Sequence, residues 1–276
     1  MGTNKYDTQP YLGMDRASPS RMYDYFLGGS RNFVVDRETA EQVLAVYPDA
    51  ALLARANRAF LRRAVRFLLE QGIDQFLDIG SGIPTAGNVH DIVHQRNPAA
   101  RVVYVDIDPI AVHLSLDLLK DVPTATAIQA DAREPEAILA HPDVRHLLDL
   151  ERPVGVLLLA SVQFIADDAE VSTLVRTVRQ AVAPGSYFVF SHLSYEGAPA
   201  EAIVQLERLY TGTTNPVTSR SRARLEPLFE ELEVVAPGVV HVPLWHPESP
   251  DDLFLEEPSR SVNLVGVARK AREPGR

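Results

Sequence analysis

The stretch Gln75–Gly82, with the sequence QFLDIGSG, decides how the rest of this chain is organised. Its first five residues combine β-favouring apolar side chains with Asp78, and they predict a buried strand. Gly80 and Gly82 then predict a tight turn, because glycine adopts positive φ angles and lets a ligand approach the backbone. Pro84 suits the first turn of a following helix, since a proline there loses no helical hydrogen bond. A strand, a glycine turn and a helix N-terminus in this order predict the opening of a nucleotide-type binding site.

Two residues distinguish this turn from the dinucleotide-binding fingerprint. That fingerprint requires a third small residue at the position where this chain has Thr85. Asp78 is expected to direct a carboxylate toward the ligand, and a negative group suits a cationic ligand better than a pyrophosphate. An ordinary strand-to-helix turn is the alternative interpretation of the motif taken alone.

The composition is that of an acidic globular protein without cysteine. The chain has 276 residues, of which 46% are hydrophobic and 23% charged, and its formal net charge is -10. An acidic surface repels phosphate backbones, which argues against nucleic acid as a partner. The absence of cysteine excludes disulfides, thiolate metal sites and a cysteine nucleophile. Residues 1–17 are expected to form a flexible tail, and they lack the apolar core of a signal peptide. No apolar run in the sequence reaches transmembrane length. We therefore expect a cytoplasmic protein without a membrane partner.

Two further predicted strands also run into aspartates. Asp106 follows the second strand and Asp131 follows the third. Asp106 lies 24 residues after Gly82, about the distance at which βαβ nucleotide sites place the acidic residue that binds the ribose hydroxyls. Such residues also occur as plain helix caps. Because the carboxyl ends of parallel strands line one crevice, the three aspartates that include Asp78 predict a shared ligand site.

A helical arm of residues 18–71 is expected to precede an α/β domain of residues 72–270. The last helix of the arm runs from Asp49 to about Gln71 and carries an apolar stripe at helical spacing. Its arginines mostly fall off that stripe, which is typical of a solvated face. These arginines are Arg55, Arg58, Arg62, Arg63 and Arg66.

Within the domain, helices are predicted from about Pro84 to Arg96 and from Ser219 to Leu232. Two strands, at 234–242 and 261–268, close the chain. A long loop separates them, and this arrangement suits an antiparallel pair at the edge of the sheet.

The segment Arg21–Phe33 of the arm is crowded with aromatic and polar side chains and has no clean core stripe. It is interpreted either as a helical arm packed on the domain or as a lid whose side chains reach the ligand. Arginine can pair with a ligand carboxylate, tyrosines suit a ligand that is part apolar, and a glycine pair permits movement. The candidate lid residues are Arg21, Tyr23, Tyr25, Gly28, Gly29 and Asn32, and Gln163 is a candidate substrate contact.

With these residues in view, the chain resembles the class I S-adenosylmethionine (SAM)-dependent methyltransferases. It resembles most a largely uncharacterised, mostly actinobacterial family of SAM-dependent methyltransferase-like proteins. The matching segments are Arg21–Tyr25, Leu27–Gly29, Asn32–Phe33, Gln75–Gly82, Asn88–His90, Val102–Asp106 and Ala183–Tyr187, and the resemblance covers residues 18 to 270. It implies a Rossmann-like α/β fold with a seven-stranded, mostly parallel sheet of order 3-2-1-4-5-7-6. Helices would cover both faces, and the strand numbered seven would be antiparallel.

The resemblance also implies the cofactor, SAM, with S-adenosylhomocysteine as its product. Carried over by position, the cofactor contacts are Asp78, Gly80 and Gly82 with Ser81 at the methionine moiety, Asp106 with Ile107 at the ribose, Asp131 and Ala132 at the adenine, and Ser161 at the sulfonium. SAM carries an ammonium and a sulfonium group, so a pocket lined by carboxylates suits it.

In-line methyl transfer to a small-molecule acceptor needs mainly alignment and the exclusion of water. No metal is required, and the sequence offers no metal-ligand cluster. Relatives often have a histidine where this chain has Gln163, so His192 and Tyr195 are the remaining candidates for a catalytic base. A structural role is the alternative for His192.

Two other functions compete with methyl transfer. One is a catalytically silent SAM-binding protein that acts as a sensor or partner. The other is a nicotinamide-dependent oxidoreductase, against which Thr85 and the three strand-end carboxylates count.

Overall fold

The sheet has the strand order that the resemblance implies. The computed structural model of the chain describes residues 15–84, 87–196 and 199–271. Its strands are β1 (Gln75–Ile79), β2 (Arg101–Asp106), β3 (Ala125–Gln129), β4 (Gly155–Leu159), β5 (Tyr187–Leu193), β6 (Leu232–Val234), β7 (Val240–His241) and β8 (Asn263–Lys270). Their order is β3-β2-β1-β4-β5-β8-β6, and β7 also pairs with β8. Neighbours from β3 to β5 are parallel, whereas β8 runs antiparallel to β5, β6 and β7. The mostly parallel Rossmann-like sheet is therefore confirmed.

The described residues form eight strands rather than seven, because the strand predicted at 234–242 is interrupted. β6 ends at Val234 and β7 begins at Val240. Between them, Pro237 has no N–H to donate to a ladder, and Gly238 adopts a φ of 96° and donates to the carbonyl of Val235 over 2.9 Å. A turn therefore divides the edge strand into two short pieces.

Helices cover both faces of the sheet. They are α1 (Pro19–Phe26), α2 (Val34–Val46), α3 (Ala50–Glu70), α4 (Val89–His94), α5 (Pro109–Leu119), α6 (Pro135–Ala140), α7 (Pro142–Leu147), α8 (Asp168–Ala181), α9 (Ala200–Thr211) and α10 (Arg222–Leu225). Side chains alternate along β1, so Leu77 belongs to the core under α6, α7 and α8 and Phe76 to the core under α3, α4 and α5. Helices α1, α2 and α9 form a third apolar cluster.

Two helices are shorter than predicted. α4 begins at Val89 instead of Pro84, because Gly87 has a φ of 77° and Asn88 caps the helix in a reciprocal box with Asp91. α10 ends at Leu225 and continues only as a 3₁₀ turn that contains Pro227. Thr85 lies outside the described residues.

The prediction of a solvated arginine face on α3 is wrong for Arg63. Arg63 is 6% exposed, and its guanidinium donates to the carbonyls of Trp245 and Val242, each over 2.9 Å. α3 packs against the 3₁₀ turn Val242–Leu244, whose carbonyls need donors there. Over the described ranges, none of the helices has both the length and the apolar character to cross a bilayer.

Candidate active site

A cavity opens at the carboxyl edge of the parallel strands, beneath α1, α2, α3 and α9. The loops that follow β1, β2, β3 and β4 form one side of it, as expected for ligands of open α/β sheets. All the residues predicted to contact the cofactor line this cavity. They are Asp78, Gly80, Ser81, Gly82, Asp106, Ile107, Asp131, Ala132 and Ser161.

The glycine turn after β1 is fixed by close packing and by Asp106. Gly80 has a φ of 79°, and a Cβ placed on it would lie 2.2 Å from the Cβ of Ser161. Gly82 has a φ of 69°, and its N–H donates to Oδ2 of Asp106 over 2.6 Å. Only glycine fits the first of these positions, and the turn brings bare backbone to the cavity.

Asp106 is a buried carboxylate held by backbone groups. Besides Gly82, the N–H of Asp108 donates to its Oδ1 over 2.8 Å. Burial raises the pKa of Asp106 to about 6, and the backbone hydrogen bonds oppose that rise. The side chain is therefore ionised at neutral pH and faces the cavity with fixed geometry.

Asp78 lies at the end of β1 and is 5% exposed. Burial raises its pKa to about 7, the charge of Arg58 lowers it, and the charge of Asp106 raises it further. Burial and the charges of Arg58 and Asp106 are thus the influences that set its protonation. A cationic ligand at this point would stabilise the ionised form.

Helix α3 contributes two site residues that the sequence did not reveal. Arg58 lines the cavity and donates to the carbonyl of Gly87 over 2.8 Å. Its neighbour Asn57 donates from Nδ2 to the hydroxyl of Tyr23 over 3.1 Å, while its Oδ1 is buried and has no described partner. Both residues precede Leu61 by one helical turn, so they lie at the edge of the apolar stripe of α3. This position was the signal in the sequence that could have marked them as site residues.

Asp131 already has a partner for its carboxylate. Nε of Arg133 lies 3.0 Å from both carboxylate oxygens, and this arginine holds the pKa of Asp131 below its ordinary value. The two side chains form one rim of the cavity together with Ala132.

The predicted lid residues divide into two groups. Tyr23 lines the cavity with its neighbours Pro19, Ser20 and Phe26, and its hydroxyl donates to the carbonyl of Ala54 over 3.1 Å. The other predicted lid residues lie outside the lining of the cavity. They are Arg21, Tyr25, Gly28, Gly29 and Asn32.

Arg21 anchors the arm instead of lining the cavity. It is 1% exposed, its Nε donates to Asp36 over 2.8 Å, and its Nη1 lies 3.4 Å from Asp108. Ser18 also donates to Asp108, over 2.8 Å. Of the predicted tail, residues 1–14 lie outside the described part, but Ala17 is buried.

Asp24 organises the loop after α1. Tyr25 donates to the side chain of Glu41 and not to the cavity. A Cβ on Gly29 would lie 2.1 Å from Asp24, which also accepts from Nδ2 of Asn32 over 2.8 Å. Gly29 therefore serves close packing around Asp24, whereas Gly28 supplies a positive φ of 79° in open space.

His192 lies outside the cavity lining and is 1% exposed. Its Nε2 is 3.0 Å from Nη1 of Arg220, and its Nδ1 is 2.7 Å from the carbonyl of Leu193. Because an arginine only donates, Nε2 accepts and Nδ1–H donates to the carbonyl. Burial lowers the pKa of His192 to about 4, which favours the neutral imidazole at pH 7, and both ring nitrogens already have partners, an arrangement that favours the structural alternative over a catalytic base.

Arg220 was missed by the sequence analysis, since nothing in its local pattern marks it. It is 1% exposed and donates to the carbonyls of Val162 and Ile165 over 3.2 and 2.7 Å, and to Asp168 over 2.7 Å. These bonds fix the loop that follows β4, whose lining residues include Ser161 and Gln163.

Gln163 and Tyr195 both line the cavity. Oε1 of Gln163 accepts from the N–H of Leu193 over 3.0 Å. Tyr195 has a buried hydroxyl without a described partner, and burial raises its pKa above the ordinary value. A tyrosine that holds its proton this firmly can orient a ligand but is a poor base at neutral pH.

The residues at the strand ends fit SAM. Asp78 offers a buried carboxylate, and Asn57 Oδ1 and Ser161 Oγ are buried without a described partner. Buried polar atoms are normally hydrogen-bonded, so this cluster indicates a polar, cationic ligand. In the described part of the chain, no group of His, Asp or Glu side chains could hold a metal ion.

Comparison with known proteins identifies the family. The sequence profile of a family described as S-adenosyl methyltransferase matches residues 5–271. The chain is 36% identical to a candidate methyltransferase from Thermobifida fusca of known structure, covering 97% of this chain and 100% of that one with a TM-score of 0.88. It is 37% identical to a DUF574 family protein from Streptomyces avermitilis, covering 94% and 99% with a TM-score of 0.89.

A more distant likeness concerns the fold alone. A SAM-dependent methyltransferase structure from Methanosarcina mazei is 15% identical, with coverage of 73% and 94% and a TM-score of 0.50. No curated protein sequence matches the chain. On the family match and the two close structures, the chain belongs to the S-adenosyl methyltransferase family, and S-adenosylmethionine is its cofactor.

Proposed function

We propose that this protein transfers a methyl group in line to a small-molecule acceptor held in the same cavity as the cofactor. The observation that carries the proposal is the continuity of that cavity. The same cavity is lined by Asp78, Asp106 and the glycine turn after β1, and also by aromatic side chains such as Phe164 and Tyr210. A cofactor and an acceptor that share one cavity can be aligned for a direct displacement.

Several residues would hold SAM at the strand ends. Asp78 would face its cationic groups, Asp106 its ribose hydroxyls, and Ser161 its sulfonium end. Arg58, on the same side of the cavity, offers a guanidinium for the methionine carboxylate. When bound, the cofactor would supply a methyl group on a positively charged sulfur: the bond from the methyl carbon to sulfur would break as the bond to the acceptor atom forms, S-adenosylhomocysteine would leave, and an O–H or N–H acceptor would release its proton to solvent.

The protein's own contribution is alignment and the exclusion of water. Helix α1 covers the glycine turn, since Ser20 lies near Gly82, and a Cβ on that glycine would be 3.9 Å from the Cβ of Ser20. We infer that the arm of residues 18–71 acts as a cover over the cofactor. If so, amide exchange in α1 slows when SAM is added, whereas an arm that only packs on the domain leaves that exchange unchanged.

Small molecules are the proposed acceptors, and nucleic acid is not. The formal net charge of -10 opposes a phosphate backbone. A polynucleotide would in addition need a basic track, whereas the lining of the cavity contains more carboxylates than arginines.

Calorimetric titration tests the cofactor site directly. The full-length protein is titrated with SAM, S-adenosylhomocysteine and NAD under the same conditions. We expect both sulfur compounds to bind with one site per chain and NAD not to bind. Tight binding of NAD without binding of SAM would contradict the proposal.

A further inference from the structure

Charge is distributed unevenly along the cavity. The charged side chains of its lining are Arg58, Asp78, Asp106, Asp131 and Arg133. The aspartates and Arg133 follow β1, β2 and β3, and Arg58 acts on the charge of Asp78. In the sheet order, β4, β5 and β8 lie on the other side of β1 from β2 and β3. We call the part of the lining that comes from the loops after β4 and β5, the start of β8, and helices α1 and α9 the acceptor chamber, defined by Phe26, Phe164, Tyr195, Leu206, Tyr210 and Asn263. None of the described residues adds a charged side chain to the lining of this chamber.

The chamber therefore disfavours a charged ligand. A carboxylate or an ammonium group taken into it would lose its hydration without gaining a counter-charge, and such burial is strongly unfavourable. Its two tyrosines keep their protons, because burial raises the pKa of Tyr210 to about 12 and raises that of Tyr195 as well. The walls consequently stay neutral at physiological pH.

The chamber walls are aromatic. The rings of Phe164 and Tyr210 lie 6.3 Å apart between centroids, with 38° between their planes. Phe26 is 7% exposed and belongs to the apolar cluster of α1, α2 and α9, against which Tyr195 packs. Flat rings fill such a space with large apolar contact and favourable edge and face geometry.

Two buried polar atoms of the chamber have no partner in the described chain. They are the hydroxyl of Tyr195 and Oδ1 of Asn263. Asn263 on β8 pairs with Leu193 on β5, and Leu193 precedes Tyr195 by two residues. An amide oxygen only accepts hydrogen bonds, whereas a tyrosine hydroxyl both donates and accepts, so a ligand that satisfies both must carry a donor.

Backbone strain beside Asn263 supports a functional role for this corner. Val262 lines the cavity with a φ of 37° and a ψ of 20°, and its carbonyl accepts from the N–H of Ser194 over 2.7 Å. A β-branched residue in the left-handed region is unfavourable and persists only where surrounding contacts fix it, often at ligand sites.

We propose that the methyl acceptor is an uncharged aromatic molecule whose O–H or N–H group hydrogen-bonds to Asn263 Oδ1 and the Tyr195 hydroxyl. The inference rests on the proposed function, since a molecule bound in the chamber can accept a methyl group only if SAM is bound at the ends of β1, β2 and β3. The binding of the cofactor product and that of the acceptor can be measured separately, so the two ideas can fail separately.

Calorimetry and saturation-transfer NMR test the proposal on the full-length protein saturated with S-adenosylhomocysteine. The probes are 2-naphthol and indole, which carry an O–H and an N–H donor, 2-methoxynaphthalene, which carries none, and 2-naphthoate, which is anionic. We expect 2-naphthol or indole to bind at least about tenfold more tightly than the ether and the anion, as expected for a buried acceptor left unmatched. The better of the two shows whether oxygen or nitrogen is preferred.

Matched tyrosine variants locate the contact. Tyr195→Phe removes the chamber hydroxyl and is expected to weaken the better donor probe about 3- to 10-fold, with unchanged affinity for S-adenosylhomocysteine. Tyr187→Phe is the control, because Tyr187 lies at the amino end of β5, whereas the cavity lies at the carboxyl ends of the parallel strands. Its hydroxyl is 3.5 Å from Gln71. The proposal is overturned if 2-naphthoate binds as tightly as the donor probes, if no probe binds the loaded protein, or if Tyr195→Phe has no effect. Failure to bind S-adenosylhomocysteine would instead refute the proposed function.

Discussion

Replacing Asp78 with asparagine should stabilise the protein without ligand and weaken its hold on SAM. Burial raises the pKa of Asp78 from 3.8 to about 7. The difference of about three pH units corresponds to about 4 kcal/mol against the ionised form in the folded state. The asparagine variant has the same shape and avoids that cost.

The gain should depend on pH in a defined direction. Because the folded pKa of Asp78 exceeds the unfolded one, the folded protein retains a proton that the unfolded chain has lost between pH 4 and about 7. The free energy of unfolding contributed by this group therefore falls as pH rises through that window. We expect Asp78→Asn to be more stable than the parent by about 2 kcal/mol at pH 5 and about 4 kcal/mol at pH 8.

Urea unfolding at pH 5 and pH 8, with SAM titrations at pH 6 and pH 8, provides the measurements. SAM affinity of the parent should rise with pH as Asp78 ionises, and the variant should bind about 10- to 100-fold more weakly at pH 8. Asp121→Asn, at an exposed position after α5, is the matched control and should change neither property. Equal stability gains at the two pH values, or unchanged SAM affinity in Asp78→Asn, would refute the reasoning.

Three further predictions concern other parts of the site. Asp106→Ala should weaken SAM binding by about 1–3 kcal/mol, because the ribose hydroxyls would lose their proposed acceptor and the glycine turn the contact that fixes it, and calorimetry that finds no change would contradict this. His192→Gln should keep the parent's SAM affinity. Its free energy of unfolding should also depend less on pH in acid: because burial lowers the pKa of His192 from 6.5 to about 4, the parent loses up to about 3 kcal/mol of stability as pH falls through that window, and the variant should not. Gly80→Ala should cost more stability than Gly72→Ala, since both have positive φ but only Gly80 faces a clash, and equal losses in thermal unfolding would disprove the packing argument.

The meeting of the three aspartates could be predicted because it follows from local patterns, whereas the strand order was implied by the resemblance to the methyltransferases. Apolar runs that end in Asp78, Asp106 and Asp131 define parallel strands, and parallel strands bring their carboxyl ends to one edge. The interruption of the edge strand could also have been predicted, since Pro237 lies inside the strand predicted at 234–242.

The roles of individual side chains depended on partners that no local pattern reveals. Burial lowers the pKa of His192, and Arg220, 28 residues away, occupies its Nε2. Arg21 was expected at the ligand, yet its carboxylate partner Asp36 lies on the next helix. In each case a distant residue competes for the same polar group, and the distance in sequence hides the competition.

One continuous chain of hydrogen bonds joins the arm to the glycine turn. Ser18 and Arg21 contact Asp108, whose N–H donates to Asp106, which in turn accepts from Gly82. The packing of the arm and the position of Asp106, the proposed ribose contact, are therefore connected through one hydrogen-bond network. Linkage requires reciprocity: whatever factor the docked arm adds to cofactor affinity, the cofactor must add to the docking of the arm.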